Sequence, residues 1–201
     1  MGRSIGFDLD MTLVDSNLGL VKTLSKIFPE KSEIQEDWFV QKISGLPLKE
    51  ILNFLAQEDQ IAMVEKAFLD LYPSIGVGHS KLYPGAIAAL NCVRKSGYEP
   101  IIVSAKSPIN LNKMISHFEL PVKLAVGGVH GLGKSKVLQK NNAKLYVGDQ
   151  ESDVFSAHKA GISAVRIVAR DANPEFTNAD WTLNDIGSFP EWFQGWLEPQ
   201  K

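Results

Sequence analysis

The sequence predicts an α/β fold: a doubly wound parallel sheet with an all-helical segment inserted after its first strand. Short apolar runs alternate with amphipathic stretches along most of the 201-residue chain. Strands separated by single helices pair in parallel, with helices on both faces of the sheet. Residues 16–80 interrupt this alternation, because they show helical periodicity and no convincing strand. The length suits one compact domain, or one domain that carries a sizeable insertion.

Each element follows from a local pattern. Short apolar runs predict strands at residues 4–10, 98–105, 122–126, 144–149 and 163–169. The amphipathic stretches between them predict helices over residues 85–97 and 108–118, after Gly133, and over residues 151–160. The aromatic tail, residues 189–201, predicts a short helix that packs on the sheet edge. We therefore expect an α/β core of residues 1–15 and 81–201 and a helical domain of residues 16–80.

The composition excludes several classes of protein. Hydrophobic residues make up 44% and charged residues 22%, with a net charge of -2, as in an ordinary soluble globular protein. No block of Lys and Arg could follow a nucleic-acid backbone, and no apolar run approaches the ~18 residues of a membrane span. The N-terminus has no signal-peptide pattern, and the single Cys92 cannot form an intrachain disulfide. We expect a cytoplasmic monomer or homodimer.

Polar side chains follow the predicted strands at their carboxyl ends, where open parallel sheets bind ligands. These residues are Asp8, Asp10, Ser104, Asp149 and Asp153, with Lys134 at the start of a helix. Carboxylates packed together repel one another, so such a cluster usually holds a cation. Since its ligands are oxygens and no His is spaced to join them, Mg²⁺ is the expected ion.

Four motifs in this order resemble those of the haloacid dehalogenase superfamily of phosphatases. Residues 8–16, DLDMTLVDS, resemble the first motif, DxDxT, and Ser104 matches the Ser/Thr of the second. Lys134 matches the third motif, and residues 148–153, GDQESD, match the fourth, GDxxxD. The helical insertion and the LYPG run at residues 82–85 are similar to the phosphoglycolate phosphatase and β-phosphoglucomutase branch, in which the insertion forms a cap.

The resemblance implies a role for each residue. Asp8 would attack phosphorus and form an aspartyl-phosphate, and Asp10 would act as general acid and then general base. Ser104, Ala105 and Lys134 would bind the phosphoryl group. Mg²⁺ would be held by the residues of the acidic cluster, which are Asp8, Asp10 (through its carbonyl), Asp149 and Asp153. The implied function is Mg²⁺-dependent hydrolysis of a small phosphate ester, either phosphoglycolate or a sugar phosphate.

Several alternatives remain open. A phosphosugar mutase would share every motif, and a non-catalytic binding protein could use the same scaffold. Residues 128–135, GVHGLGKS, also match the P-loop pattern GxxxxGK[ST], although only two clear strands follow them and a P-loop would leave the carboxylates unexplained. Lys136 competes with Lys134 for the third motif. Lys106 could lie near the substrate, and Lys42, in a run that resembles a cap loop, could meet its anionic part or be solvated.

Overall fold

A computed structural model describes residues 2–35, 37–43, 46–168 and 177–198. The described residues form a six-stranded parallel sheet, in the order β5-β4-β1-β6-β7-β8. Its strands are β1 (Ser4–Phe7), β4 (Glu99–Val103), β5 (Leu124–Val126), β6 (Ala143–Gly148), β7 (Ser163–Ile167) and β8 (Trp181–Leu183). Two further strands, β2 (Val14–Asp15) and β3 (Lys81–Leu82), form a separate antiparallel pair.

The helices of the described residues fall into two groups. Four lie between β2 and β3: α1 (Asn17–Ile27), α2 (Asp37–Ile43), α3 (Leu48–Leu55) and α4 (Ile61–Leu71). The others follow β3: α5 (Ala86–Lys95), α6 (Pro108–His117), α7 (Leu132–Lys140), α8 (Glu151–Ala160) and α9 (Phe189–Leu197). In the described part of residues 16–80 there is no strand, as the periodicity predicts.

The sheet is buried on both faces. Phe7 and Leu145 belong to one apolar cluster together with buried residues of α5, α6 and α9. Tyr146 belongs to a second cluster together with buried residues of α7 and α8. Successive strand side chains point to opposite faces, so β4, β5, β6 and β7 each contribute to both clusters. At Gly6 a Cβ atom would lie 2.6 Å from the Leu138 side chain, so this glycine allows α7 to pack closely on β1. The doubly wound parallel sheet is confirmed.

Two details of the sequence interpretation are corrected. The strand β8 was not expected, because a run of three residues, WTL, is too short to show alternation. The tail helix α9 does not pack on the edge alone. Phe189 stacks edge-on against Phe7 of the central strand at 5.3 Å, and Trp192 reaches Trp181 of the edge strand at 5.3 Å, so α9 lies across one face of the sheet.

A short neck connects the helical segment to the sheet. Val14 pairs with Leu82 and Asp15 with Lys81, and the chain leaves and re-enters the core through this pair. The α1–α4 helices bury Leu24, Ile51 and Phe68 in an interior that is continuous with the core cluster. That residues 16–80 form a domain of their own stays a prediction. Among the described residues, no helix is both long and apolar enough to cross a membrane.

Candidate active site

The loop after β1 brings two carboxylates to the carboxyl edge of the central strand. The Asp8 backbone N–H still donates to the Val147 carbonyl, at 2.8 Å, so this residue continues the strand. The chain then turns tightly, with Met11 at φ 58° and the N–H groups of Leu13 and Val14 both donating to the Leu9 carbonyl. The turn leaves the Asp8 side chain buried and the Asp10 side chain partly exposed beside it.

Asp8 meets two carboxylates from the β6–α8 connection. One oxygen each of Asp8, Asp149 and Asp153 lies within 4.8 Å of the others. Asp153 is in the first turn of α8, where its Oδ2 accepts from the Gln150 backbone N–H at 3.2 Å. Gly148 is required here, because a Cβ at this position would overlap the Asp153 carboxylate. The structure thus brings together carboxylates that are far apart in the sequence.

Lys134 supplies the positive charge inside this cluster. Its Nζ lies 2.6 Å from Asp153 Oδ1 and 3.2 Å from Asp8 Oδ1, and the side chain is 6% exposed. Burial acts to lower the pKa of Lys134, but the carboxylate of Asp8, the Tyr146 ring and Asp153 together raise it well above its ordinary value. The competing Lys136 is exposed on the same helix, so the geometry favours Lys134.

The carboxylates carry more negative charge than Lys134 offsets. Burial raises the pKa of Asp8 to about 6; Lys134 opposes this shift, and Asp153 and Asp10 add to it. Burial, with Asp8 and Asp153, also raises the pKa of Asp149 well above its ordinary range. Among the described residues, no group makes a hydrogen bond to the buried Oδ1 atoms of Asp8 and Asp10, although a lysine amine lies near each. A site of this kind could hold a divalent cation.

The loop after β4 lies beside the carboxylates that follow β1. Ser104 is 1% exposed, and its hydroxyl accepts from the Lys106 backbone N–H at 3.3 Å. The Lys106 Nζ lies 3.1 Å from Asp10 Oδ1 and donates to Tyr72 Oη at 3.2 Å. Lys106 therefore lies beside Asp10, and a place for it near the substrate stays a prediction. Ala105 lies between Ser104 and Lys106 in the sequence, and its methyl side chain has no polar atom, so only its backbone could bind a phosphoryl group.

Two sequence alternatives gain no support from the geometry. Lys42 lies over the Phe54 ring, with 4.3 Å between Nζ and the ring centroid, on an exposed part of the helical segment. Ser44 and Gly45 of the same cap-loop run lie outside the described residues. In the P-loop pattern, the amine of Lys134 is paired with carboxylates, and the Val129 N–H donates to the Ser104 carbonyl at 3.2 Å. Nothing in this arrangement favours a nucleotide phosphate.

Sequence reasoning missed two residues that contact the site. Tyr72, at the end of α4, is 1% exposed, and the centroid of its ring lies 4.4 Å from the Lys106 Nζ. Arg166, on β7, donates from Nε to the Asp149 carbonyl at 3.0 Å. A charged residue inside the apolar run SAVRIV is a signal that could have identified Arg166. No local pattern distinguishes Tyr72 from an ordinary buried aromatic residue.

A cluster of buried carboxylates lies at the carboxyl edge of this α/β sheet, which is where open parallel sheets bind their ligands. Residues 5–167 match the model of the haloacid dehalogenase-like hydrolase family, and the chain belongs to this family. The membership confirms that the protein is a hydrolase of the haloacid dehalogenase type. The names of its curated relatives support the prediction that this hydrolase is a phosphatase.

The chain is similar to curated phosphoglycolate phosphatases over most of its length. It is 25% identical over 225 aligned positions to one from Haemophilus influenzae, with 92% of this chain and 95% of that protein covered. It is 24% identical over 220 positions to one from Rhodobacter capsulatus, with 98% and 99% covered. The solved structure of a haloacid dehalogenase-like family hydrolase from Streptococcus pneumoniae matches at a TM-score of 0.79 and 20% identity, with 98% of this chain and 99% of that chain covered. That likeness shows a shared fold.

Proposed function

We propose that the protein is a Mg²⁺-dependent phosphatase that hydrolyses a small phosphate ester through an aspartyl-phosphate on Asp8. The observation that carries the proposal is the buried Asp8 carboxylate, held at the end of the central strand against Lys134 and the carboxylates of Asp149 and Asp153. The names of the curated relatives favour phosphoglycolate as the first substrate to test, with sugar phosphates next.

The donor set fits a hard divalent cation. Asp8, Asp149 and the Asp10 backbone carbonyl would hold Mg²⁺, and Asp153 would contribute directly or through a water molecule. Every one of these atoms is an oxygen, which Mg²⁺ prefers. Burial, and after it the neighbouring carboxylates, raises the pKa of Asp8 and Asp149, and a bound cation would relieve both effects. The bound ion would offset the repulsion between the Asp8 carboxylate and a phosphate dianion.

The residues of the chain divide the reaction into two displacements. A carboxylate oxygen of Asp8 attacks phosphorus while the bond to the leaving oxygen breaks, and Asp10 gives that oxygen its proton. A water molecule then attacks phosphorus as Asp10 takes its proton, which releases inorganic phosphate and regenerates Asp8. Lys134, with its amine 3.2 Å from Asp8 Oδ1, and Ser104 would bind the transferring phosphoryl oxygens.

Residues 16–80 would act as a cap over this site. The support is the Lys106 amine, which contacts both Asp10 on the core side and Tyr72 on the helical side. Lys106 would therefore lie beside the leaving group while the cap is closed. Closure of such a cap would exclude bulk water from the aspartyl-phosphate.

The test is phosphate release from p-nitrophenyl phosphate, phosphoglycolate and sugar phosphates, with Mg²⁺ and with EDTA. We expect turnover that requires Mg²⁺ and is lost in Asp8→Asn. The exposed Asp59→Asn, on the helical segment, is the matched control and should keep full activity. If Asp8→Asn hydrolyses every ester as fast as the unmodified protein, the nucleophile assignment is wrong. Conversion of one sugar phosphate into its isomer without phosphate release would instead identify a mutase.

A further inference from the structure

Arg166 holds the connection that carries Asp149. It lies on β7, opposite Gly148 of β6, and its side chain is only 14% exposed. Its Nε donates to the Asp149 backbone carbonyl at 3.0 Å, and its Nη1 lies 2.7 Å from Glu151 Oε1. The two contacts span the turn between β6 and α8, so one guanidinium ties both sides of this turn to the neighbouring strand.

Electrostatic repulsion explains why this turn needs a restraint. The Asp149 carboxylate lies close to those of Asp8 and Asp153, and carboxylates packed together repel one another. The Lys134 amine pairs with Asp8 and Asp153. The Asp149 carboxylate accepts a long hydrogen bond from Thr12 Oγ1, at 3.5 Å, and a shorter one from the side-chain amide of the adjacent Gln150, at 2.8 Å. Without a contact to the backbone, repulsion would favour rotation of the turn away from the cluster.

Glu151 completes the restraint and balances its charge. Its Oε1 pairs with Arg166, and its Oε2 accepts from the Asn178 backbone N–H at 3.4 Å. Because the carboxylate offsets the guanidinium, the pair adds little net charge near the acidic cluster. The pair therefore affects the cluster by holding the turn in position, not by adding charge.

We propose that Arg166, together with Glu151, is a positioning residue that orients Asp149 and thereby sets the affinity of the site for a divalent cation. Arg166 would act through the Asp149 backbone carbonyl, without itself binding the ion. The inference rests on the proposed function, since it takes the cluster of Asp8, Asp149 and Asp153 to be a metal site. Changes to residues that orient metal ligands typically weaken metal binding by about 10- to 100-fold.

The decisive variant is Arg166→Lys, because a lysine keeps the charge but cannot donate in two directions as the planar guanidinium does. The double variant Arg166→Met/Glu151→Gln removes both charges, so it tests the geometry without changing the net charge. The exposed Arg94→Lys, on α5, is the control for an arginine substitution elsewhere. Asp149→Asn serves as the reference for loss of a ligand.

The affinity for Mg²⁺ is measured from the rise of the unfolding temperature with Mg²⁺ concentration, and separately from the Mg²⁺ dependence of p-nitrophenyl phosphate turnover. We expect Arg166→Lys and the double variant to need about 10-fold more Mg²⁺, with kcat at saturating Mg²⁺ within about twofold of the unmodified protein. Arg94→Lys should change neither quantity.

Unchanged Mg²⁺ binding in the Arg166 variants would overturn the inference, and Asp149→Asn shows whether the proposed function fails with it. If both Arg166 variants unfold at a lower temperature in EDTA but bind Mg²⁺ with unchanged affinity, Arg166 serves stability alone. If Asp149→Asn also binds Mg²⁺ like the unmodified protein, the metal site itself is wrong and the proposed function fails with it. Weaker binding in Asp149→Asn with unchanged binding in Arg166→Lys and the double variant would refute only the positioning role.

Discussion

Replacing Asp8 with asparagine should stabilise the metal-free protein, although the same change should abolish catalysis. The Asp8 carboxylate is buried near other carboxylates, and its pKa is raised from 3.8 to about 6. A raised pKa in the folded state means that the folded protein binds this proton more tightly than the unfolded chain does. Its contribution to stability is therefore complete below pH about 4 and is lost as the pH rises through about 6.

The magnitude follows from the size of the shift. Two pH units correspond to about 3 kcal/mol, which the folded protein loses above pH 7 when Asp8 is ionised. Asparagine has nearly the same shape and carries no charge, and Lys134 keeps Asp153 as its partner at 2.6 Å. For a chain of this length, we expect Asp8→Asn to unfold about 6–12 °C higher than the unmodified protein.

The assay is thermal unfolding in EDTA at pH 7.5 and at pH 5, with Asp59→Asn as the exposed control. The difference should be largest at pH 7.5, should be about half as large at pH 5 and should approach zero below pH about 4. With saturating Mg²⁺ the order should reverse, because only the unmodified site keeps all of its carboxylate ligands. If Asp8→Asn in EDTA at pH 7.5 unfolds at the same or a lower temperature than the unmodified protein, the electrostatic account of the site is refuted.

Two further substitutions test the packing of the site. Gly148→Ala should cost about 1–3 kcal/mol of stability and weaken Mg²⁺ binding, because the added Cβ overlaps the Asp153 carboxylate. The control is Gly195→Ala in α9, where a Cβ meets nothing within 4 Å. In the same unfolding and Mg²⁺ titrations it should leave Mg²⁺ binding unchanged and raise stability by up to about 1 kcal/mol, because alanine favours a helix more than glycine does. Tyr72→Phe keeps the ring over the Lys106 amine but removes the hydroxyl that accepts from it, so steady-state kinetics on p-nitrophenyl phosphate should show kcat/KM reduced by about 5- to 10-fold. Unchanged kinetics would show that this hydroxyl has no part in turnover.

The residues that meet at the sheet edge could be predicted because parallel strands bring their carboxyl ends together. Asp8 and Asp149 follow β1 and β6, and these strands are neighbours in the sheet. The sequence matches Lys134 to the third motif with Lys136 as a competitor, and the structure buries the first and exposes the second. The catalytic roles of these residues stay predictions that the proposed assays test.

The remaining features depend on contacts between elements that no local pattern encodes. Tyr72 and Lys106 belong to different parts of the chain, and their contact depends on how the helical segment packs against the loop after β4. Arg166 reaches the turn after β6 only because β7 pairs with β6 in a register that places it opposite Gly148. The three-residue β8 is a strand because β7 offers it hydrogen bonds, since a run so short has no periodicity of its own.

By itself, the sequence determined the α/β class of this protein, the helical insertion and the carboxylates at the strand ends. These features depend on the periodicity of consecutive residues and on the rule that parallel strands share an edge. Only the tertiary structure decided that Lys106 contacts Tyr72, that α9 crosses a face of the sheet and that Arg166 holds the Asp149 turn. Those contacts depend on distances between side chains that packing alone sets, and packing involves the whole chain at once.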